Sequence, residues 1–374
     1  MHIRAAVLRE LGATAPYASS KPLTIGTLEL DGPGEGEVLV EIKAAGLCHS
    51  DLSAIDGNRA RPLPMVLGHE AAGVVREVGK GVKTVAAGDH VVMVFVPSCG
   101  HCVPCAAGRP ALCEPAVKAN VSGTLLSGAR RLHENGKAVN HLLGVAAFAE
   151  YAVTSEHSCV KIDESLPFDE AALFGCAVIT GVGAVFNTAR VRPGARIAVI
   201  GLGGVGLNSL LAAVAAGARE IIAVDLREDK LALARELGAS ATFNAEEPDL
   251  VDRIRTATRG GVDYAFEMAG SIPALELAWK VTRRGGETVT AGLPHPSRTL
   301  AISPAQIVAE ERTLKGSYVG SCVPLRDIPL YIELYRVGKL PVNKLMSEHI
   351  VLDDINAGFD RLAAGATVRQ VIMF

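Results

Sequence analysis

The sequence predicts an α/β chain in two parts: a β-rich domain, and a doubly wound parallel sheet with crossover helices. Three observations predict it. Short Val- and Ile-rich runs broken by Gly/Pro turns fill the stretch from Met1 to about Thr154. After Cys176, apolar strand-like runs alternate with helical patterns, the alternation that builds a parallel sheet. A glycine-rich turn, Gly201-Leu202-Gly203-Gly204-Val205-Gly206, joins the first such strand to the first such helix.

The elements follow in order. Met1-His2-Ile3-Arg4-Ala5-Ala6-Val7 alternates like a first strand. Val38-Leu39-Val40-Glu41-Ile42 and His90-Val91-Val92-Met93-Val94 are strand runs set off by turns such as Gly32-Pro33-Gly34. The stretch 120–141 has a weak pattern and is expected as a long surface loop. Residues 196–200 form an apolar strand, followed by the glycine turn and a helical stretch to Ala216. Residues 220–225 read as the next strand, and 229–237 as a helix with apolar positions near a 3.6 period. Residues 262–267 and 287–291 are further strands. From about Gly320 to Phe374 helix and strand mix, and the chain is expected to return to its first domain. The expected domains are therefore 1–177 with 321–374, and 178–320. No internal repeat or low-complexity linker interrupts them.

Composition excludes several classes of function. At 374 residues, 49% hydrophobic and 21% charged, the chain is long enough to bury two cores. Its formal net charge of -3 leaves no electrostatic footprint for nucleic acid or an anionic membrane. The N-terminus lacks the apolar core of a signal peptide. The most apolar stretch, around 207–218, carries Asn208 and Ser209 and is too short to span a bilayer. A cytoplasmic location without membrane or nucleic-acid partners is expected. In a reducing compartment, eight cysteines read as metal ligands or free thiols more than as disulfides.

The glycine turn fits G-x-G-x-x-G in the context that the motif requires, after a strand and opening a helix. Gly201 is expected to make the tight turn, Gly203 to let the backbone approach a pyrophosphate, and Gly206 to allow close helix–strand packing. Gly204 and Val205 open the helix, whose N-terminal N–H groups favour phosphate. Asp225 closes the second strand and suits the two hydroxyls of an adenosine ribose, so NAD is expected over NADP. Lys230 and Arg227 lie nearby and soften that preference. This is the fingerprint of a Rossmann domain; the plain alternative is a glycine turn without a ligand.

Two cysteine sets remain. Cys99, Cys102, Cys105 and Cys113 form a compact lobe, 97–115, whose four thiols match a closed structural zinc site. An iron–sulfur cluster is the alternative metal, because C-x2-C-x2-C also occurs in ferredoxin-type motifs. Cys48, His69 and Cys176 lie far apart. Two thiolates and an imidazole suit a catalytic zinc with an open fourth position. From spacing alone, two free cysteines and a core histidine are an equal reading. Cys159 and Cys322 belong to neither set and read as buried apolar residues.

Taken together, these motifs resemble the zinc-dependent medium-chain alcohol dehydrogenase family. The match runs through Gly46-Leu47-Cys48-His49-Ser50-Asp51, Gly68-His69-Glu70-Ala71-Ala72-Gly73 and Gly88-Asp89-His90-Val91. It continues through the four-cysteine lobe, Phe174-Gly175-Cys176, the 201–206 turn, Asp225, Leu314-Lys315-Gly316-Ser317 and Val368-Arg369, and so covers essentially the whole chain. The resemblance implies a GroES-like β-rich catalytic domain beside a Rossmann domain that binds NAD. It implies two zinc ions per chain, one catalytic on Cys48, His69 and Cys176 and one structural in the lobe. Glu70 would lie behind the catalytic metal, and Asp51 would orient His69. Zinc would lower the pKa of an alcohol oxygen, Ser50 would take the proton, and the alkoxide carbon would deliver hydride to nicotinamide, giving an aldehyde. Thr180 would pack on the nicotinamide, and Arg369 and His49 would face the pyrophosphate. Phe95, Leu143, Leu293 and Tyr318 match substrate-lining positions and favour a primary apolar or aromatic alcohol. Relatives associate through the cofactor domain, so a homo-oligomer is expected.

Two departures qualify the resemblance. Many relatives carry a histidine three residues after the relay hydroxyl, where this chain has Ser53. The glutathione-dependent formaldehyde dehydrogenase branch has an arginine a few residues after the last lobe cysteine, where this chain has Val117 and Lys118. That branch is the alternative enzyme; a non-catalytic NAD-binding protein on the same fold is the alternative from another class.

Overall fold

Val- and Ile-rich runs become strands because their branched side chains fit a pleated, half-buried surface. The computed structural model describes residues Met1–Phe374. In chain order the strands are β1 His2–Leu8, β2 Leu23–Leu30, β3 Glu37–Gly46, β4 Met65–Val66, β5 Ala71–Val78, β6 His90–Met93, β7 Leu132–Glu134, β8 Lys137–His141, β9 Tyr151–Ser155 and β10 Cys159–Ile162. Then come β11 Arg196–Ile200, β12 Glu220–Asp225, β13 Ala241–Asn244, β14 Val262–Glu267, β15 Thr282–Thr290 and β16 Thr313–Gly316, with β17 Met346–Ile350 and β18 Arg369–Met373 at the end. The chain divides into two units. One is Met1–Cys176 with Val323–Pro329 and Asn343–Phe374; the other is Ala177–Cys322 with Leu330–Val342.

In the first unit, β1, β2, β7, β8 and β4 close into a barrel. The register of β1 on β2 runs from His2↔Glu29 to Leu8↔Leu23, which turns Ile3, Ala5 and Val7 onto the same core as Leu28, Leu30 and Val66. The second sheet runs β10-β6-β5-β3-β18-β17, with β9 also on β3. Its strand β18 arrives from the C-terminus and pairs antiparallel with β3 at Val371↔Gly46, just before the first cysteine of the scattered set.

The stretch 120–141, expected as a surface loop, is folded. It holds the end of helix Glu114–Ser122 and the β7–β8 hairpin, with Leu125, Leu132 and Val139 buried in the barrel core. Strands this short show too few alternations to be read from sequence.

The second unit is a six-stranded parallel sheet of order β13-β12-β11-β14-β15-β16. Strand order reverses between β11 and β14, the topological switch point at which such sheets bind ligands. Ile200, Ile222, Val224, Phe243, Ile254 and Val262 fill its core. Helix Phe168–Ala189, not the stretch around 207–218, is the longest apolar segment. Its 22 residues are long and apolar enough to cross a membrane, yet 78% of its most apolar window is buried inside the fold. The division between the units falls inside this helix, after Cys176. All eight cysteines are free thiols.

Candidate metal centre and dinucleotide turn

Three elements of the first unit deliver the scattered set. Cys48 follows β3 and precedes helix His49–Ile55. His69 lies between β4 and β5. Cys176 sits in the π-helical turn Phe174–Val178, an irregularity often found at functional sites. Its neighbour Gly175 has no room for a side chain, because a Cβ there would stand 2.6 Å from the carbonyl oxygen of Met93. The turn can therefore press against β6. The ligand atoms of Cys48, His69 and Cys176 lie within 4.8 Å of one another, and all three residues are buried.

Charge and hydrogen bonding fit a cation here. A hydrogen bond from Cys176 holds the Cys48 thiol well below its ordinary pKa against the cost of burial, and His69 and Arg369 add positive charge. A metal ion would hold both buried sulfurs as thiolates. His69 meets Asp51 through Nδ1, at 3.2 Å to Oδ1, while its Nε2 is buried without a partner. The Asp51 Oδ1 also accepts the Gly68 N–H at 3.0 Å. An imidazole fixed by a carboxylate on one nitrogen offers the other to a metal. Behind this cluster, burial pushes the Glu70 carboxyl up to about 7, although Arg369 opposes the shift. Glu70 Oε1 accepts from Arg369 Nη1 at 3.0 Å, and its Oε2 is buried without a partner. The Phe95 ring stands edge-on to His69, with centroids 5.2 Å apart at 88°.

The lobe cysteines also converge, with ligand atoms within 4.8 Å of one another. The Cys99 N–H donates to Cys113 Sγ at 3.2 Å, and the Cys102 N–H to Cys99 Sγ at 3.3 Å. Against partial burial, N–H groups of His101 and Cys102 bring Cys99 down to about 6. Amide donors on sulfur are what a thiolate ligand set requires, and four such ligands leave no open position.

In the second unit Gly201 adopts φ +89, and a Cβ on it would stand 2.7 Å from the Ala269 nitrogen. A Cβ on Gly206 would stand 1.8 Å from the Gly201 carbonyl oxygen, whereas on Gly203 it would meet nothing within 4 Å. The first and last glycines are thus packing positions, and the middle one faces open space above helix Gly204–Ala215. Asp225 Oδ2 accepts the Leu202 N–H at 2.7 Å and Oδ1 the Arg227 N–H at 3.0 Å. Each oxygen keeps a lone pair for a further donor. The Arg227 guanidinium pairs with Asp229 at 3.0 Å.

The remaining candidates are distributed between the units. In the first, Ser50 is half-buried and His49 exposed at the start of helix His49–Ile55. Phe95 and Leu143 are buried, at 8% and 7% exposure. Arg369, assigned to a pyrophosphate by resemblance, is buried on Glu70 and also donates to the Leu47 carbonyl at 3.2 Å. Its Nε is buried without a partner. In the second unit, Thr180 and Lys230 are half-buried, and Leu293 and Tyr318 are 55% and 39% exposed. Sequence reasoning missed the Glu70–Arg369 pair, since nothing in a sequence brings position 369 beside position 70. It also missed Glu267, whose only signal is an acidic residue ending an apolar strand.

Comparison with known proteins points to one family. A family model described as "Alcohol dehydrogenase GroES-like domain" matches residues 34–164. One described as "Zinc-binding dehydrogenase" matches residues 204–336. The chain is 37% identical to S-(hydroxymethyl)glutathione dehydrogenase of Paracoccus denitrificans, over 100% of both chains. Its fold is similar to an alcohol dehydrogenase zinc-binding domain protein from Burkholderia ambifaria, with TM-score 0.94 and 36% identity over 100% of this chain and 99% of that one. It is also similar to benzyl alcohol dehydrogenase from Acinetobacter calcoaceticus, with TM-score 0.93 and 34% identity over 100% and 99%.

Proposed function

Since the chain belongs to the zinc-dependent medium-chain alcohol dehydrogenase family, we propose that it interconverts primary apolar or aromatic alcohols and aldehydes with NAD. In this reading Cys48, His69 and Cys176 hold a catalytic zinc, and Cys99, Cys102, Cys105 and Cys113 a structural one. The observation that carries it is the buried cluster of two thiols and an imidazole whose Nε2 has no other partner. Bound there, zinc supplies the Lewis acidity that polarises an alcohol oxygen, while nicotinamide accepts the hydride.

The protein's own residues do the rest. Asp51 fixes the His69 ring by its Nδ1. Phe95 packs against that ring at nearly a right angle. The Ser50 hydroxyl, near the start of its helix, takes the alcohol proton. Ser53 gives its own hydroxyl hydrogen to the His49 carbonyl at 2.9 Å, so the next step of the relay passes to His49 or to water. Asp225 favours ribose hydroxyls over a 2′-phosphate, and the guanidinium of Arg227, a nearby cation, is paired with Asp229.

Buried Phe95 and Leu143 and the similarity to a benzyl alcohol dehydrogenase support apolar and aromatic substrates. The 37% identity to S-(hydroxymethyl)glutathione dehydrogenase supports a second reading, the thiol-adduct reaction. Against it, position 117 is an exposed valine on helix Glu114–Ser122 and offers no cation for a carboxylate. The test is NADH formation from NAD with benzyl alcohol, an aliphatic alcohol series, and formaldehyde with and without glutathione. Turnover of the free alcohols is expected. Turnover of formaldehyde only with glutathione would overturn the first reading for the second.

A further inference from the structure

The second unit contains a brace that its glycine motif does not explain. Glu267 ends β14 and is 1% exposed. Its Oε1 accepts the N–H of Ala269 at 2.9 Å and of Gly270 at 2.6 Å. Its Oε2 accepts the Thr290 hydroxyl at 2.6 Å. Its backbone carbonyl accepts the Ala291 N–H at 3.0 Å. One side chain thus ties the segment that follows β14 to the end of β15, and the three donors leave it little freedom. Hydrogen bonds to a carboxylate are stronger than those between neutral groups, so this knot is stiff.

Its position gives the stiffness a purpose. The sheet reverses its strand order between β11 and β14, and dinucleotides lie across that point at the carboxyl ends of the strands. Asp225, at the end of β12, marks the adenosine side. The other half of the dinucleotide must then extend over the ends of β14 and β15, where Glu267 sets the backbone. We propose that Glu267 is a positioning residue for the nicotinamide half of NAD(H). The inference rests on the dinucleotide reading given above. The adenosine ribose has an anchor of its own in Asp225, which accepts the Leu202 N–H at 2.7 Å and makes no hydrogen bond with Glu267, although the Gly201 turn packs against Ala269.

That separation provides the test. AMP and NADH binding to the zinc-loaded enzyme are measured by titration calorimetry for the wild type, Glu267→Ala and Glu267→Gln. Alanine orphans the N–H groups of Ala269 and Gly270, whereas glutamine keeps an oxygen for them and an amide for Thr290. Glu267→Ala is expected to weaken NADH about tenfold or more while AMP stays within about twofold, and Glu267→Gln to recover most of the loss. NADH affinity equal to wild type in Glu267→Ala overturns the proposal. A parallel loss of AMP and NADH also overturns it, since that is general damage to the unit. If Glu267→Ala does not fold, Thr290→Val removes one donor, with NADH expected to weaken about threefold and AMP to hold. Unchanged NADH binding there overturns the proposal. A wild type that binds neither probe overturns the dinucleotide reading and this inference with it.

Discussion

His141 ends β8 fully buried, with its Nε2 accepting the Arg131 N–H at 3.0 Å. Burial, with Arg130, Arg131 and His133 nearby, pushes its pKa down to about 3. An unfolded histidine titrates near 6.5. Between those values the unfolded chain takes up a proton that the folded one refuses, so stability is full above about pH 6.5 and falls as the pH drops toward 3. Replacing His141 with glutamine is expected to flatten this fall, at a cost of about 1 kcal/mol at neutral pH from the altered hydrogen bond. Urea midpoints between about pH 7 and about pH 4 check it, and parallel curves for the two proteins would sink the idea. Nothing in the sequence distinguishes His141 from a surface histidine, because its charge state is set by neighbours brought in by the fold. The same holds for Arg369, legible as a cofactor residue by resemblance and found against Glu70.

At the scale of elements, the glycine turn is the most legible part of the chain, since its whole motif lies within consecutive residues, 201–206. Its glycines separate into two kinds. Gly206→Ala forces a Cβ onto the Gly201 carbonyl at 1.8 Å and is expected to lower the melting temperature by several degrees. Gly203 lies at φ -71 and ψ -173, which alanine adopts, and a Cβ there meets nothing. Gly203→Ala is therefore expected to melt near the wild type and yet bind NADH at least about tenfold more weakly, because its methyl occupies the side from which phosphate approaches. Calorimetric melting and NADH titration of the two variants decide it; equal melting temperatures would refute the distinction. Less was legible where elements are short or irregular. The β7–β8 hairpin offers only three and five residues of pattern. Helix Phe168–Ala189 contains π-helical turns at Phe174–Val178 and Ala184–Ala189, which break the 3.6 period that a sequence pass looks for.

For the whole molecule, fold class followed from the change of pattern after Cys176, which local sequence records well. The metal set did not follow from spacing, because Cys48, His69 and Cys176 meet only through three separate elements. The same long-range logic makes the C-terminus essential. Strand β18 pairs with β3 next to Cys48 and carries the cation that accompanies buried Glu70. A chain ending at Ala366 leaves that carboxylate buried alone, a loss of about 3–5 kcal/mol, and strips β3 of a neighbour. Such a chain is expected to bind less than a tenth of the wild-type zinc at the Cys48 site. Metal analysis under mild chelation checks this, and a zinc content equal to that of the wild type would contradict it.

The return of β18 to the first unit also fixes an order in time. On the ribosome the main stretch of the second unit, Ala177–Cys322, emerges while β3, already able to pair with β5 and β9, still lacks β18. The sheet around Cys48 gains this neighbour only once β18 has left the exit tunnel. A metal ion held by that cluster would therefore wait for β18, whereas one held by the cysteine lobe, local in sequence, could load as soon as the lobe emerges.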